Sequence, residues 1–360
     1  MLGVIFIHRE CYPFLFFGLW ASDSRKILRR SRFIPDTSLW VGTRSRIDFD
    51  FFSLRGGIVT LPDINRLFPT DDRCRELLMR LRWPEGVICP HCKDTRVSTL
   101  KDYGRFECVG CEYQFTVTAG TIFHDSHLPL TKWFLAVLLL AEAKKGMSAK
   151  QLQRTIGMGY KTAWYLCHRI RRAMAGADRV NGTVEMDETY IGGKQHTYSK
   201  AGFGDSNKQV VVGIRQRGGD LRFFHAEDAK SGTLAKYIRE NISSDVEVLV
   251  TDELNSYPTA IKNTEFQNKH KTIKHRAKIY VDGDIHTNTV ESAFSLLKRG
   301  IVGSWHMVSA KHLQAYLGEM EFRFNRRKKS DLFIDTLRHM ITAHPLTFEC
   351  LTAEPDDFAA

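Results

Sequence analysis

Two CxxC pairs, Cys89-Pro90-His91-Cys92 and Cys108-Val109-Gly110-Cys111, stand fifteen residues apart. Each pair forms a tight knuckle whose two thiolates point at one centre, and two knuckles complete a tetrahedral four-sulfur site. The spacing falls at the lower end of that of a zinc ribbon. A thioredoxin-type redox pair needs a βαβ pattern beside one CxxC, and the flanking sequence has none. Eight cysteines in 360 residues are too few for a disulfide scaffold. With Cys at all four positions no coordination site stays open, so the expected zinc is structural. His91, inside the first knuckle, is expected to be a solvent-facing spacer.

What surrounds this module is basic. The chain carries 52 Lys+Arg against 41 Asp+Glu, a net charge of +11, which favours an anionic partner such as nucleic acid. Its 43% hydrophobic content is enough for packed cores, and its length suggests two or three domains. No run reaches the ~18 apolar residues of a membrane span, so no membrane partner is expected and the location is expected to be cytoplasmic, at the nucleoid. Residues 1–20 are apolar and aromatic but broken by His8-Arg9-Glu10, unlike a secretory signal. Residues 1–64 are expected to be an extension outside the folded core.

Beyond the ribbon, residues 130–143 form an apolar helix, expected to be capped at Thr131. Two helices then flank Gly157-Met158-Gly159, one from Ser148 to Ile156 and one from Tyr160 to Met174. Such a pair reads as a helix-turn-helix. Residues 121–180 hold ten Lys+Arg against three Asp+Glu, and Lys161, Arg169, Arg171 and Arg172 on the second helix are expected to contact DNA. An ordinary hairpin with a solvated basic face is the plainer alternative; the charge and the adjacent ribbon favour DNA.

The second half changes character. Thr183 to Ile191 alternates as a strand, with Val184, Met186 and Glu188 on one face and Glu185, Asp187 and Thr189 on the other. Gln209–Arg215, Leu221–Ala226 and Val246–Asp252 read as further strands, with a helix from Ser231 to Glu240. The order strand-strand-strand-helix-strand-helix predicts an α/β domain with a mixed sheet. An Asp inside a β-branched strand is costly to bury unless a cation neutralises it. Asp187 and Asp252, with a carboxylate from the later cluster Asn288-Thr289-Val290-Glu291, suit a two-metal site. Each Asp taken singly serves equally well as a cap for the next turn.

In order along the chain, CPHC…ECVGC, the basic helix pair, VEMDETYIGGK, LVTDELNSY and HTNTVESAFSLLKRGIVGSWHMVSAKHLQAYLGEMEFRFNRR resemble the ISXO-type DDE transposases of bacterial insertion sequences. The resemblance spans roughly residues 65–335. It implies an RNase H-like catalytic domain and Mg2+-dependent DNA cleavage and strand transfer, with Mn2+ as a substitute ion. The family's first two carboxylates fall on Asp187 and Asp252, and its downstream basic residue on Lys298. The third position lies between Asn288 and Glu291, since some branches of the family use Asn. Charge favours Glu291, because two Mg2+ carry four positive charges and a third anionic oxygen helps neutralise them. Asn288 would then bind a metal water or the scissile phosphate. Arg299, Arg323, Arg326 and Arg327 are expected to add DNA-backbone contacts.

The expected layout is a zinc ribbon over 65–120, a helix-turn-helix region over 121–180, the catalytic domain over 181–335 and a tail over 336–360. The expected partners are double-stranded DNA, as element ends and as target, and further copies of the chain in the DNA complex. A non-catalytic ribbon and helix-turn-helix regulator, or an RNase H-type nuclease, are the other readings. Neither accounts for both the strand-borne acids and the basic N-terminal half.

Overall fold

A computed structural model describes residues 58–100, 104–176, 178–192, 208–273 and 286–353. Residues 58–345 belong to one compact unit, and the short helix Phe348–Thr352, capped by the Thr347 hydroxyl, belongs to another. The expectation for residues 1–57 lies outside the described residues. Ordered packing begins before residue 65: α1 (Leu61–Leu67) buries Ile64, and Val59 is buried just ahead of it. Thr60 and Asp63 close a reciprocal capping box at its start.

The ribbon is a three-stranded antiparallel sheet, β1 (Val97–Thr99), β2 (Arg105–Cys108) and β3 (Gln114–Thr116), in that order. Phe106 pairs with Phe115 across β2 and β3, and Trp83 meets both rings edge-on. Trp83 ends α2 (Asp71–Arg82), so the ribbon rests on the helix that precedes it.

Helices α3 (Leu130–Glu142), α4 (Ala149–Ile156) and α5 (Tyr160–Ala173) follow. Thr131 does not cap α3 with its side chain; its backbone N–H donates to Asp71 Oδ1 at 3.1 Å, so an acid of α2 satisfies that helix start. Ser148 caps α4 by accepting from Gln151 N, and Gly157 ends it at φ 69, where a side chain would be strained. Leu332–Thr342, a helix partly in the stretch expected to be a tail, buries Phe333 against Phe134 and Phe68.

The remaining core is a five-stranded mixed sheet. Strands β4 (Thr183–Ile191), β5 (Gln209–Gln216), β6 (Leu221–Ala226), β7 (Val248–Thr251) and β8 (His270–Thr272) lie in the order β6-β5-β4-β7-β8. Strands β4, β5 and β6 pair antiparallel with one another, β7 adds parallel to β4, and β8 adds parallel to β7. This is the RNase H-like arrangement. Val184, Met186, Val212 and Ile214 face α6 (Ser231–Asn241) and α7 (Ser256–Ile261) on one side. Val211, Leu221 and Phe223 face α8 (Asn288–Gly300) and α9 (Ala310–Arg326) on the other. Burial on both faces explains why β5 reads as an almost unbroken apolar run.

Candidate active site and nucleic-acid interface

The acids are set by strand register. Thr183, Val184 and Glu185 pair in parallel with Val248, Leu249 and Val250. Two residues further along, the same register brings Asp187 beside Asp252, which directly follows β7. Ligand oxygens of Asp187, Glu188 and Asp252 all lie within 4.8 Å of one another. Glu188 is on the other face of the strand, as alternation requires, yet its carboxylate reaches this cluster and accepts the hydroxyl of buried Tyr257 at 2.8 Å. Strand alternation, which sets Glu188 on the face opposite Asp187, hides this approach in the sequence. The pairing with Tyr257, sixty-nine residues distant, leaves no local signal.

Facing the cluster is α8. Gly213 stands opposite Asp187 on β5, and a Cβ there would come within 2.7 Å of the Phe294 ring and 2.9 Å of Val290. Glycine at this point lets α8 lie close enough for Glu291 to act on Asp187. Glu291 accepts the Thr287 hydroxyl at 2.9 Å and is exposed. It lines an open groove of about 720 Å3 together with Asp187, Glu188, Lys145, Lys298 and Arg299. Asn288, first residue of α8, is exposed and is not among the groove's lining residues.

Burial, then the charges of Glu188, Asp252 and Glu291, push the Asp187 carboxyl up to about 8. Concentrated carboxylate charge of this kind is relieved by a cation, and an all-oxygen donor set suits a hard one. Burial likewise raises Glu188, against the Tyr257 hydrogen bond that lowers it.

The orientation of α8 is held from beneath. Glu185, fully buried on β4, accepts Thr289 N–H at 2.9 Å, Thr289 Oγ1–H at 2.7 Å and Val290 N–H at 3.1 Å, all through one oxygen. Its other oxygen accepts Arg217 Nε–H at 2.7 Å, and His286 Nδ1 lies 3.1 Å away. An anion at a helix N-terminus satisfies amides that lack partners within the helix and complements its dipole. Glu185 was legible only as a polar residue on a strand face.

In the ribbon, Cys89 Sγ is 3.7 Å from Cys111 Sγ and Cys92 Sγ 3.4 Å from Cys108 Sγ, with all four sulfurs within 4.8 Å. Zn–S bonds of ~2.3 Å in a tetrahedron imply sulfur separations of about 3.8 Å, so the four fit one zinc ion. The knuckles match each other: Lys93 N–H donates to Cys89 O and Glu112 N–H to Cys108 O, and both turning residues have positive φ. His91 is exposed, its ring against Tyr113.

Two of the expected DNA contacts on α5 are corrected. Arg169 is buried, donating to the Ile122 and His124 carbonyls with its guanidinium over the Trp133 ring. Arg171 is buried too, bonded through Nε to Glu319 Oε2 at 2.6 Å and stacked over Tyr316. Arg323, also buried, completes an Arg171–Glu319–Arg323 triad between α5 and α9. Arg169 ties α5 to the turns before α3, Arg171 and Arg323 tie α5 to α9, and, buried so, none of them reaches phosphate. Lys161 is exposed at the start of α5, and Arg172 is half-buried. Lys298 and Arg299 are exposed in the groove. Arg326 is tied to Asp335 at 2.8 Å, and exposed Arg327 lies over Phe324. Lys145, on the loop after α3, joins the groove unforeseen.

Comparison with known families decides the class. Residues 179–325 match the ISXO2-like transposase domain, and residues 69–114 match the transposase zinc-ribbon domain. In both stretches the chain is similar to the ISXO2-like transposases. It is 28% identical over 276 residues to an uncharacterized protein in transposable element ISH50 of Halobacterium salinarum, covering 72% of this chain and 92% of that one. The solved Mos1 Strand Transfer Complex is similar at a TM-score of 0.27, with 9% identity over 58% of this chain and 74% of its own, too loose a likeness to carry an argument. The two matches support a DNA transposase, that is, a DNA-binding polynucleotidyl transferase, with a structural zinc site at the four ribbon cysteines. No helix among the described residues is long and apolar enough to cross a membrane.

Proposed function

We propose that this transposase binds the terminal inverted repeats of its element, cuts the 3′ ends and joins them to target DNA at the Asp187–Asp252–Glu291 site. The observation that carries the reading is the meeting of Asp187, Glu188 and Asp252 within 4.8 Å, in a groove that also holds Glu291 and Lys298. Asp187 and Asp252 would hold Mg2+, with Mn2+ as a substitute, and Glu291 would supply the third anionic side chain. When bound, the ions stabilise the attacking and leaving oxygens of an in-line displacement. Glu188, oriented by Tyr257, adds negative charge at the same centre. Asn288, one turn before Glu291 on the exposed start of α8, serves the scissile phosphate or its water. Lys298 and Arg299, with Lys145 in the same groove, contact backbone phosphate, Lys298 as a point charge.

The reaction consists of two phosphoryl transfers. Water first frees a 3′-hydroxyl, and that hydroxyl then attacks a target phosphodiester, so no side chain becomes covalently attached to DNA. Recognition of the ends falls to the ribbon and to the exposed first turn of α5 at Tyr160, Lys161 and Thr162, the part of such a helix that reaches base edges. Joining two ends at one target favours more than one copy of the chain in the complex.

The test is incubation with a duplex carrying the inverted repeat that flanks the gene, with Mg2+ or with EDTA. A cut confined to the repeat end and abolished by EDTA is expected. Binding without any metal-dependent cut would instead support a regulator, and cleavage of RNA–DNA hybrids regardless of repeat ends a nuclease.

A further inference from the structure

Beyond α8 the chain makes a π-helical turn, Ile301–Trp305, and then an unusual bend. His306 has φ 61 and ψ −54, and Met307 N–H donates back to Trp305 O at 2.7 Å. This is a γ-turn of positive φ, rare and strained for a residue with a side chain. His306 N–H also reaches Ile301 O, and its ring Nδ1 lies 3.0 Å from Val302 O. The base of the turn is fixed. Trp305 is buried, its ring 5.0 Å from that of Tyr316, and so close to Gly146 that a Cβ there would come within 2.4 Å of it. On this rigid base Val302 and Met307 project into water, 75% and 89% exposed.

Two apolar side chains held outward at such a cost call for a partner, and the surroundings indicate which. Val302 and Gly303 line the same groove as Asp187 and Glu291, and the cations Lys145, Lys298 and Arg299 line it as well. A partner that meets three cations and the bare Val302 tip in one groove, with Met307 exposed five residues further on, is anionic outside and apolar within, as duplex DNA is. Proteins that bend DNA insert Leu, Ile or Met between base steps in this way, at a cost of a few kcal/mol of stacking recovered in wider contact.

We infer that Val302 and Met307 form a wedge that enters the duplex next to the scissile phosphate and unstacks one base step there. Opening that step frees the backbone to curve down onto the acids. The inference rests on the end-cutting role proposed above, with duplex DNA at the element end as the occupant.

The probe is the inverted-repeat duplex with 2-aminopurine placed, one position at a time, across the steps flanking the cut. At saturating protein in EDTA, wild-type chain is expected to brighten one position severalfold, and Val302→Ser/Met307→Ser is expected not to. In Mg2+ the double variant is expected to cut at least about tenfold more slowly, and a duplex with an abasic site at the brightened step is expected to restore its rate. If the wild type cuts the repeat end and no position brightens, the wedge is wrong and the end-cutting role stands. Brightening by the double variant equal to that of the wild type would also overturn it. A double variant that changes the mass of the free protein while brightening persists assigns the face to contact between copies. A wild type that neither binds nor cuts the repeat removes the end-cutting role, and the wedge with it.

Discussion

The Glu185 carboxylate accepts the Thr289 backbone N–H at 2.9 Å, so a strand residue two positions before Asp187 fixes the first turn of the helix that carries Glu291. The two sides of the groove are thereby set against each other from a single buried anion. Glu185→Gln keeps the shape but brings an NH2 group toward donors. A loss of about 3 kcal/mol in urea unfolding is expected, as for other broken buried pairs, with cleavage reduced more than end binding. Wild-type stability and rate in that variant would mean α8 is oriented by apolar packing alone.

At the third acidic position, charge is expected to matter more than shape. Asp187→Asn, Asp252→Asn and Glu291→Gln should each slow cleavage by roughly a thousandfold or more, equivalent to about 4 kcal/mol of barrier. Binding of end DNA should persist, since removing negative charge does not weaken attraction to phosphate. Asn288→Ala should cost less. A dead Asn288→Ala beside an active Glu291→Gln would move the third role to the Asn.

For the ribbon, binding energy of the metal is folding energy. Cys89→Ser or Cys108→Ser should unfold that module, while the apolar clusters on both faces of the five-stranded sheet remain intact. Elemental analysis of protein purified under reducing conditions should find about one zinc per chain. Finding none would exclude the site.

Acid stability should be governed in part by His168. Its ring is buried among Trp164, His312 and Tyr316, with Nε2 lacking a partner. Burial first, then Arg171 and His312, lower its pKa to about 2. The unfolded chain takes up that proton near 6.5 and the folded chain does not, so stability is present above 6.5 and lost as the pH falls below it. One proton corresponds to about 1.4 kcal/mol per pH unit. His168→Phe should flatten the decline between pH 6 and 4 by that amount, measured by urea midpoints. An unchanged slope would locate the sensitivity elsewhere.

The sequence made some of this legible and concealed the rest for physical reasons. The cysteine knuckles are local, so their spacing is their geometry. Asp187 and Asp252 stand out because a carboxylate in a β-branched strand contradicts its surroundings. Arg169 and Arg171 misled because a basic residue on an amphipathic helix looks the same whether water, phosphate or a buried acid awaits it. Glu319, the partner of Arg171, is 148 residues away. Glu185 and Gly213 were invisible in kind: one acts through amides of a distant helix, the other through the side chain it lacks.

The parallel register of β4 and β7 has a consequence for how copies of such an element decay. Val184 and Met186 face the apolar layer, and the same pleat turns Asp187 toward the groove. A one-residue slip that misaligned the acids would also drive those side chains out of the core. Frame and chemistry therefore fail together under a slip, whereas a single substitution at one of the acids silences the site and leaves the fold standing. A copy silenced in that way keeps its packed sheet and loses only the carboxylate charge of the groove.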